Sequence, residues 1–244
     1  MQKYLIKIAF DGTNYHGWQV QPNGITVQES LQNAMSKLYG YTPDVTGCSR
    51  TDAGVHAEEF FCHFSLENNI PDCGIVAGLN SVLNEDIRIL SCKHIEDDFH
   101  CRYAAKRKTY IYKIDTRKIN DPFTARYSYH YAGSLDLEKM RIFCSSIIGV
   151  HDFEGFSSAN RSVNETIREI YDCYITENEG ILTFSVTGNG FLYNMVRILV
   201  GTAIDVGNGR LSENIAYKIF ETKNRALGGF TAPAKGLFLK QVEY

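Results

Sequence analysis

Alternating hydrophobic and polar positions near the start of the chain predict a strand over Tyr4–Phe10. Thr26, followed three residues later by Glu29, is a capping-box signature, and apolar residues then recur at helical spacing as far as Leu38. The same reading predicts further strands over 44–49, 59–64 and 87–95, and a second helix over 71–83.

The remainder of the chain continues in short elements. A hairpin is predicted where two strand-like runs flank the polar turn 177–180. The pattern predicts strands over 109–115, 167–176, 181–187 and 237–242, and helices over 137–148, 191–206 and 212–221.

Helices mixed with hairpin-joined strands favour an α+β fold, with helices packed on a mostly antiparallel sheet. The order of elements is similar in the two halves of the chain. We therefore expect an N-terminal α+β half over 1–103 and a C-terminal α+β half over 104–244.

Composition places the chain among ordinary globular proteins of 244 residues, with 44% hydrophobic and 22% charged residues. No run approaches the roughly 20 apolar residues of a membrane span, and the first residues do not resemble a signal peptide. We expect a cytoplasmic protein. The seven cysteines form no CxxC pair, which favours reduced thiols over a disulfide framework or a zinc site.

The net charge of −3 means that a nucleic-acid partner would need a locally basic surface. Such a surface is predicted over 106–126. This stretch contains seven basic residues, beginning with Lys106, Arg107 and Lys108, and only two acidic ones. A solvated strand face would explain a basic run by itself. The interleaved Tyr110 and Tyr112 favour nucleic acid, since aromatic side chains among cations suit stacked bases and phosphates.

The densest polar stretch is 48–56, which contains Arg50 and Asp52. Asp52 could cap a turn closed by a glycine, or serve as a carboxylate held in its charged form by the nearby arginine. Two other chemistries compete at this level. Cys48 could pair with His56 or His63 as nucleophile and base, and the histidines with Asp52 could be metal ligands.

A second stretch, 188–197, has two glycines that permit a sharp entry from strand to helix, but it lacks the pattern of a phosphate loop. Arg197 follows within an apolar run. It is either a surface residue or a buried partner for a carboxylate, because an unpaired buried charge is costly.

Taken together and in order, several motifs resemble those of the tRNA pseudouridine synthase A family. They are FDGTNYHGWQ at 10–19, TVQESL at 26–31, SRTDAGVHA at 49–57, KTYIY at 108–112, HDF at 151–153, GNGFLYNMVR at 188–197, VG at 200–201 and KGLFL at 235–239. The motif RTDAGVH is highly specific to this family. The matches extend from end to end of the chain.

The resemblance implies roles for four residues. Asp52 takes the position of the family's catalytic nucleophile, and Arg197 that of the arginine that pairs with it. Tyr110 corresponds to the tyrosine that stacks on the substrate base, and Arg50 to the arginine associated with the flipped nucleotide. Lys106, Arg107 and Lys108 are candidate phosphate contacts.

The resemblance also implies a fold and a substrate. The fold would have two ferredoxin-like halves, with mostly antiparallel sheets joined across a central catalytic cleft, in a homodimer. The substrate would be the anticodon arm of tRNA, at uridines 38 to 40, and the isomerisation would need no cofactor or metal. This chain departs from the family pattern at Ser49, where glycine is common, and in the acidic pair Glu58 and Glu59.

Two rival functions are distinguishable by experiment. A catalytically silent tRNA-binding or folding module would bind RNA without forming product. A small-molecule enzyme using Cys48 or His56 would act without RNA and be sensitive to thiol alkylation.

Overall fold

A computed structural model describes residues 1–158 and 165–244. Its strands are β1 Gln2–Phe10, β2 Thr46–Gly47, β3 His56–Leu66, β4 Ile87–His94, β5 Arg107–Asp115, β6 Tyr129–His130, β7 Gly149–Asp152, β8 Ile167–Asn178, β9 Ile181–Gly188 and β10 Leu237–Glu243. Its α-helices are α1 Val27–Tyr39, α2 Asp72–Val82, α3 Leu137–Ser146, α4 Met195–Gly207 and α5 Ile215–Thr222. The mixed α+β class is confirmed.

The chain divides into two compact units. Unit 1 contains Met1–Lys106 and Phe238–Tyr244, and unit 2 contains Arg107–Leu237. The predicted halves, 1–103 and 104–244, differ from these units mainly at the C-terminus. The last residues belong to unit 1 because β10 runs parallel to β3, with Phe238 opposite His56 and Leu239 opposite Ala57.

In unit 1, β1 is antiparallel to both β4 and β3, β10 lies on the other side of β3, and β2 also pairs with β3. The predicted capping residue starts α1, because the Thr26 hydroxyl accepts a hydrogen bond from Glu29 N at 3.2 Å. The helix then buries Val27, Leu31 and Met35 completely. The predicted apolar stripe is therefore confirmed as far as Met35, whereas Leu38, its last predicted member, is exposed.

The strand predicted over 44–49 is much shorter than expected. Gln28 donates from its side chain to Val45 O at 2.8 Å, and Gln32 donates to Pro43 O at 3.1 Å. Side chains of α1 thus occupy carbonyls that a longer strand would use in its ladder. The ladder with β3 contains Thr46 and Gly47, and Cys48 N adds one bond to Phe61 O at 2.8 Å.

In unit 2, the strands β5, β9, β8 and β7 are neighbours in that order and antiparallel, and the short β6 runs parallel to β5. The predicted hairpin is present with a tighter turn: Glu179 and Gly180 have φ of 50° and 76°. Consecutive positive φ values fit a two-residue turn of a twisted hairpin, so the strands extend further than predicted.

The helix α4 begins later than predicted, at Met195 and not at Phe191. Asn194 has φ of 60°, which is incompatible with a right-handed helical turn, and therefore fixes the start. The strands β6 and β7 were not predicted. None of the helices within 1–158 and 165–244 has the length and apolar character needed to cross a bilayer.

Candidate active site

Asp52 lies in a tight turn of unit 1, directly before β3. Its carbonyl accepts a hydrogen bond from Val55 N at 3.1 Å, and Gly54 has φ of 77°. The residue is half-buried, whereas Thr51 and Val55 on either side of the turn are buried. The turn therefore holds the backbone of Asp52 between two buried anchors.

The segment 11–18 packs against this turn through its backbone. Trp18 N donates to Thr51 O, and Gly54 N donates to Tyr15 O, both at 3.1 Å. A Cβ on Gly17 would lie 2.4 Å from Thr51 O, and Gly17 also has φ of 82°. Only glycine meets both conditions. The motifs at 10–19 and 49–57, which both contribute to the family resemblance, therefore contact each other in the structure.

Tyr15 connects the turn to a further carboxylate. Its hydroxyl donates to Asp86 Oδ1 at 2.6 Å, and burial together with that carboxylate raises the pKa of Tyr15 to about 12. Asp11 N also donates to Asp86 O at 2.9 Å. The loop after β1 is thereby fixed at both ends.

His56 is a buried structural residue of this site. Its Nδ1 lies 3.0 Å from Asp11 Oδ1 and 3.1 Å from Gly12 N, and its ring stacks on Phe238 with centroids 4.6 Å apart. Such surroundings fix the ring within unit 1, and only 1% of the residue is exposed.

The geometry gives little support to the two alternatives at this site, a nucleophile–base pair of Cys48 with a histidine and a metal site. Cys48 is fully buried, and its Sγ accepts a hydrogen bond from Phe61 N at 3.4 Å. His63 Nδ1 accepts one from Cys101 N at 3.4 Å, and burial lowers the pKa of His63 to about 4. Within residues 1–158 and 165–244, no three His, Cys, Asp or Glu side chains are grouped to hold a metal ion.

The acidic pair that departs from the family pattern is balanced by lysines. Glu59 pairs with Lys7 at 2.9 Å, and Glu58 pairs with Lys240 of β10. The pair therefore adds less negative charge to the surface of unit 1 than the sequence suggests. Arg50, two residues before Asp52, is exposed.

Tyr110 lies on β5 in unit 2 and is 6% exposed. Its ring meets Phe191 edge to face, with centroids 5.1 Å apart and planes at 82°. Phe191 lies in the loop between β9 and α4. The contact fixes the orientation of the Tyr110 ring.

Arg197 stands in the first turn of α4 and is half-buried. Its Nε donates to Ala232 O at 2.7 Å, its Nη1 donates to Asn194 Oδ1 at 2.8 Å, and its own carbonyl accepts from Ala232 N at 3.1 Å. The guanidinium is therefore held in place by protein groups and does not extend freely into solvent.

Sequence reasoning missed the contribution of the segment 228–236. Tyr112 is fully buried and donates to Pro233 O at 2.7 Å, and its burial raises the pKa of its phenol. Lys235 donates to Ala125 O at 2.9 Å. The glycine and proline spacing of this segment was a signal for close packing, but its partner could not be inferred from the sequence.

The basic run is less positive than its composition indicates. Arg117 forms ion pairs with Asp115 at 2.6 Å and Asp121 at 3.3 Å. Its hydrogen bonds lower the pKa of Asp115 to about 2. Arg107 is exposed and lies over the ring of Tyr171, 4.9 Å from its centroid.

The predicted site residues are distributed over both units. Asp52, Arg50 and Lys106 lie in unit 1, and Lys106 N donates to Glu243 O at 2.8 Å. Unit 2 contains Arg107, Lys108, Tyr110 and Arg197. Within unit 2, Lys108 and Tyr110 share β5, opposite Gly188 and Val186 of β9.

A family model and a solved structure each match part of this chain. The family model described as tRNA pseudouridine synthase matches residues 143–244. A crystal-structure chain from a Cbf5-Nop10-Gar1 complex aligns over 82% of this chain and 54% of its own length, with 12% identity and a TM-score of 0.34, too low to support a structural argument.

Full-length relatives are much more similar. Proteins named tRNA pseudouridine synthase A are 44% identical in Thermoanaerobacter sp. (strain X514) and 42% identical in Clostridium kluyveri, in each case over all of both chains. The protein of that name in Latilactobacillus sakei subsp. sakei is 39% identical over 100% of this chain and 99% of its own. This chain therefore belongs to the tRNA pseudouridine synthase A family.

Proposed function

We propose that this chain isomerises uridine to pseudouridine at positions 38 to 40 in the anticodon stem-loop of tRNA, with Asp52 as the nucleophile. Full-length similarity to enzymes of that name supports isomerisation of tRNA uridine. The observation that carries the assignment of Asp52 is its half-buried position in a turn braced by backbone hydrogen bonds from the segment 11–18.

The reaction demands little besides a positioned anion and a bound base. The N1–C1′ glycosidic bond breaks, the uracil turns, and C5 joins C1′. The C5 proton leaves and N1 gains a proton, so atoms and electrons balance without a co-reactant. A carboxylate can serve as nucleophile at C1′ or at the uracil ring.

The other site residues have roles in the same proposal, resting on the family resemblance. Arg197 pairs with Asp52 and orients it. Tyr110 stacks on the uracil after it leaves the helical stack, and its ring is already fixed by Phe191. Arg50 occupies the space left in the RNA, and its exposure is consistent with that role.

The proposal extends to fold and assembly. Unit 1 has the order β1, α1, β2, β3, α2, β4, and β1 lies between β4 and β3, which supports a ferredoxin-like half. A homodimer rests on the resemblance alone. Light scattering should return twice the chain mass of 27.6 kDa, and a monomer mass would remove that part of the proposal.

The activity test uses purified protein and unmodified tRNA transcripts, with pseudouridine mapped by carbodiimide adducts. Wild type should modify uridines 38 to 40, and Asp52→Asn should form no product while still binding the RNA. Asp86→Asn is the matched control, because Asp86 lies in the same unit and bonds Tyr15. It should retain measurable turnover. Product formation by Asp52→Asn would contradict the assignment of the nucleophile.

A further inference from the structure

Arg168 of β8 is a half-buried cation that forms no ion pair with the residues that the structure describes. Its Nη1 donates to Ile167 O at 2.6 Å, and within 1–158 and 165–244 no carboxylate forms an ion pair with it. Burial lowers the pKa of the Arg168 guanidinium, and Glu165 offsets only part of that effect. A partly desolvated charge with so few partners is a costly arrangement unless an anion binds there.

The loop beside Arg168 places a glycine against its guanidinium. Asn189 is tied to β8 through Glu169, donating to its carbonyl at 3.0 Å and accepting from its amide at 3.1 Å. A Cβ on Gly190 would lie 3.7 Å from Nε of Arg168. Glycine at this position therefore adds no side chain of its own against that part of the guanidinium.

The register places Arg168 on the same face of the sheet as Tyr110. Gly188 lies opposite Lys108 of β5 and opposite Ile170 of β8. A Cβ on Gly188 would lie 2.9 Å from Cδ1 of Ile170, so both point to one face. Residues two apart on a strand share a face. Tyr110 therefore lies on the same face as Lys108, and Arg168 lies on the same face as Ile170.

The ring of Phe191 connects β9 and β5 at this end of the sheet. Phe191 Cζ lies 3.4 Å from the position of a Cβ on Gly188, and the same ring contacts Tyr110. Two strand spacings, about 10 Å, separate the backbones of β5 and β8. The long side chains of Lys108 and Arg168 thus flank the loop that carries Phe191.

We propose that Arg168 binds a backbone phosphate of the tRNA next to the uridine that stacks on Tyr110, with Lys108 on the other side of the Gly188 loop as a second phosphate contact. The inference rests on the proposed function for the identity of the RNA. A guanidinium suits this task because its planar fork can bind two phosphate oxygens at once. Contacts of this kind fix register and carry no base specificity.

The test measures binding of an unmodified anticodon stem-loop to the Asp52→Asn protein at several salt concentrations, so that turnover does not change the RNA. Adding Arg168→Gln should weaken binding several-fold and reduce the salt slope by roughly 0.7 to 1, the loss of one phosphate contact. Arg168→Lys should keep most of the slope. Arg141→Gln, on an exposed arginine of α3 paired with Glu138, is the control and should change neither quantity.

Neutral methylphosphonate linkages, placed singly along the stem-loop, identify the phosphate. The protein with Arg168 should lose affinity at a linkage to which the Arg168→Gln protein is insensitive. An unchanged salt slope, or equal sensitivity of both proteins at every linkage, would overturn the inference. If the Arg168→Gln protein does not unfold cooperatively, Arg168→Lys replaces it in the comparison. The methylphosphonate at the same linkage must then reduce the affinity of the Arg168→Lys protein less than it reduces that of the protein with Arg168.

The outcomes separate this inference from the proposed function. Wild-type protein that forms pseudouridine, together with an Arg168→Gln protein of unchanged salt slope, would remove the phosphate contact and leave the enzyme. A wild-type protein that forms no pseudouridine, together with a reduced slope for Arg168→Gln, would remove the enzyme activity and leave an RNA contact at Arg168.

Discussion

At the scale of single residues, the turn that presents Asp52 depends on the backbone more than on side chains. Carbonyls of Thr51 and Tyr15 accept its supporting hydrogen bonds, and Gly17 allows the two loops to approach. A catalytic group misplaced by about 1 Å can lose two orders of magnitude in rate. With Asp52 as the proposed nucleophile, we expect the glycines of this region to affect the reaction rate as well as stability.

Substitution of Gly17 by alanine separates these effects. Gly17 and Gly40 have nearly the same φ, 82° and 78°, but nothing lies within 4 Å of a Cβ at Gly40. Gly40→Ala should cost about 1 to 2 kcal/mol of unfolding free energy, from the left-handed backbone alone. Gly17→Ala should cost about 1 to 3 kcal/mol more, because the Cβ displaces Thr51 O.

Urea unfolding and single-turnover pseudouridine formation measure both consequences. Gly17→Ala should reduce the single-turnover rate at least tenfold, and Gly40→Ala should leave it within about twofold. Equal rates for the two variants would show that the approach of Gly17 to Thr51 does not position Asp52.

At the scale of elements, α4 carries Arg197 and is packed unusually closely against the segment 228–232. A Cβ on Gly201 would lie 1.8 Å from Phe230 O, and a Cβ on Gly229 would lie 2.5 Å from the carbonyl of Gly201. The contact lies one helical turn beyond Arg197, whose Nε bonds Ala232 O at 2.7 Å. The helix and the segment therefore position the guanidinium together.

Alanine at Gly201 should separate the helix from this segment, although alanine favours helices. The matched control is Gly78→Ala in α2, where the Cβ would meet only Leu38 Cδ1 at 3.5 Å. Gly78→Ala should stabilise the protein by about 0.5 to 1 kcal/mol. Gly201→Ala should destabilise it by about 1 to 3 kcal/mol and lower kcat. Thermal unfolding gives the sign of each change, and a stabilised Gly201→Ala protein would be the contrary result.

At the scale of the whole molecule, the chain returns to its first unit after completing the second. The strand β10 pairs with β3, and its Leu239 and Val242 are buried in unit 1. Tyr244 meets Phe61 edge to face at 5.2 Å. The stability of unit 1 therefore depends on residues that follow all of unit 2 in sequence.

Truncation of Leu239 tests that dependence. Leu239→Ala should cost about 2 to 5 kcal/mol, because a fully buried leucine leaves a cavity. Amide hydrogen exchange should become faster in β3, far away in sequence. The exposed Gln241 on the same strand provides the control, and Gln241→Ala should change the unfolding free energy by no more than about 0.5 kcal/mol. Unchanged protection of β3 would contradict the predicted dependence.

Several features could be predicted from sequence because they are local. The α+β class, the capping of α1 by Thr26 and the hairpin of β8 and β9 follow from periodicity and turn chemistry over a few residues. Element ends were less predictable. The late start of β2 depends on Gln28 and Gln32 of α1, and the late start of α4 depends on the backbone of Asn194.

The sequence motifs identify the family and give Asp52, Tyr110 and Arg197 as candidate site residues. A motif can be recognised before the fold is known because it is a local pattern of residue types. The folded structure alone shows that Glu58 and Glu59 are balanced by lysines, and that Arg117 forms ion pairs with two acids. It also brought forward Arg168, which belongs to none of the motifs. Charge balance and burial depend on residues far apart along the chain, and those contacts exist only after folding.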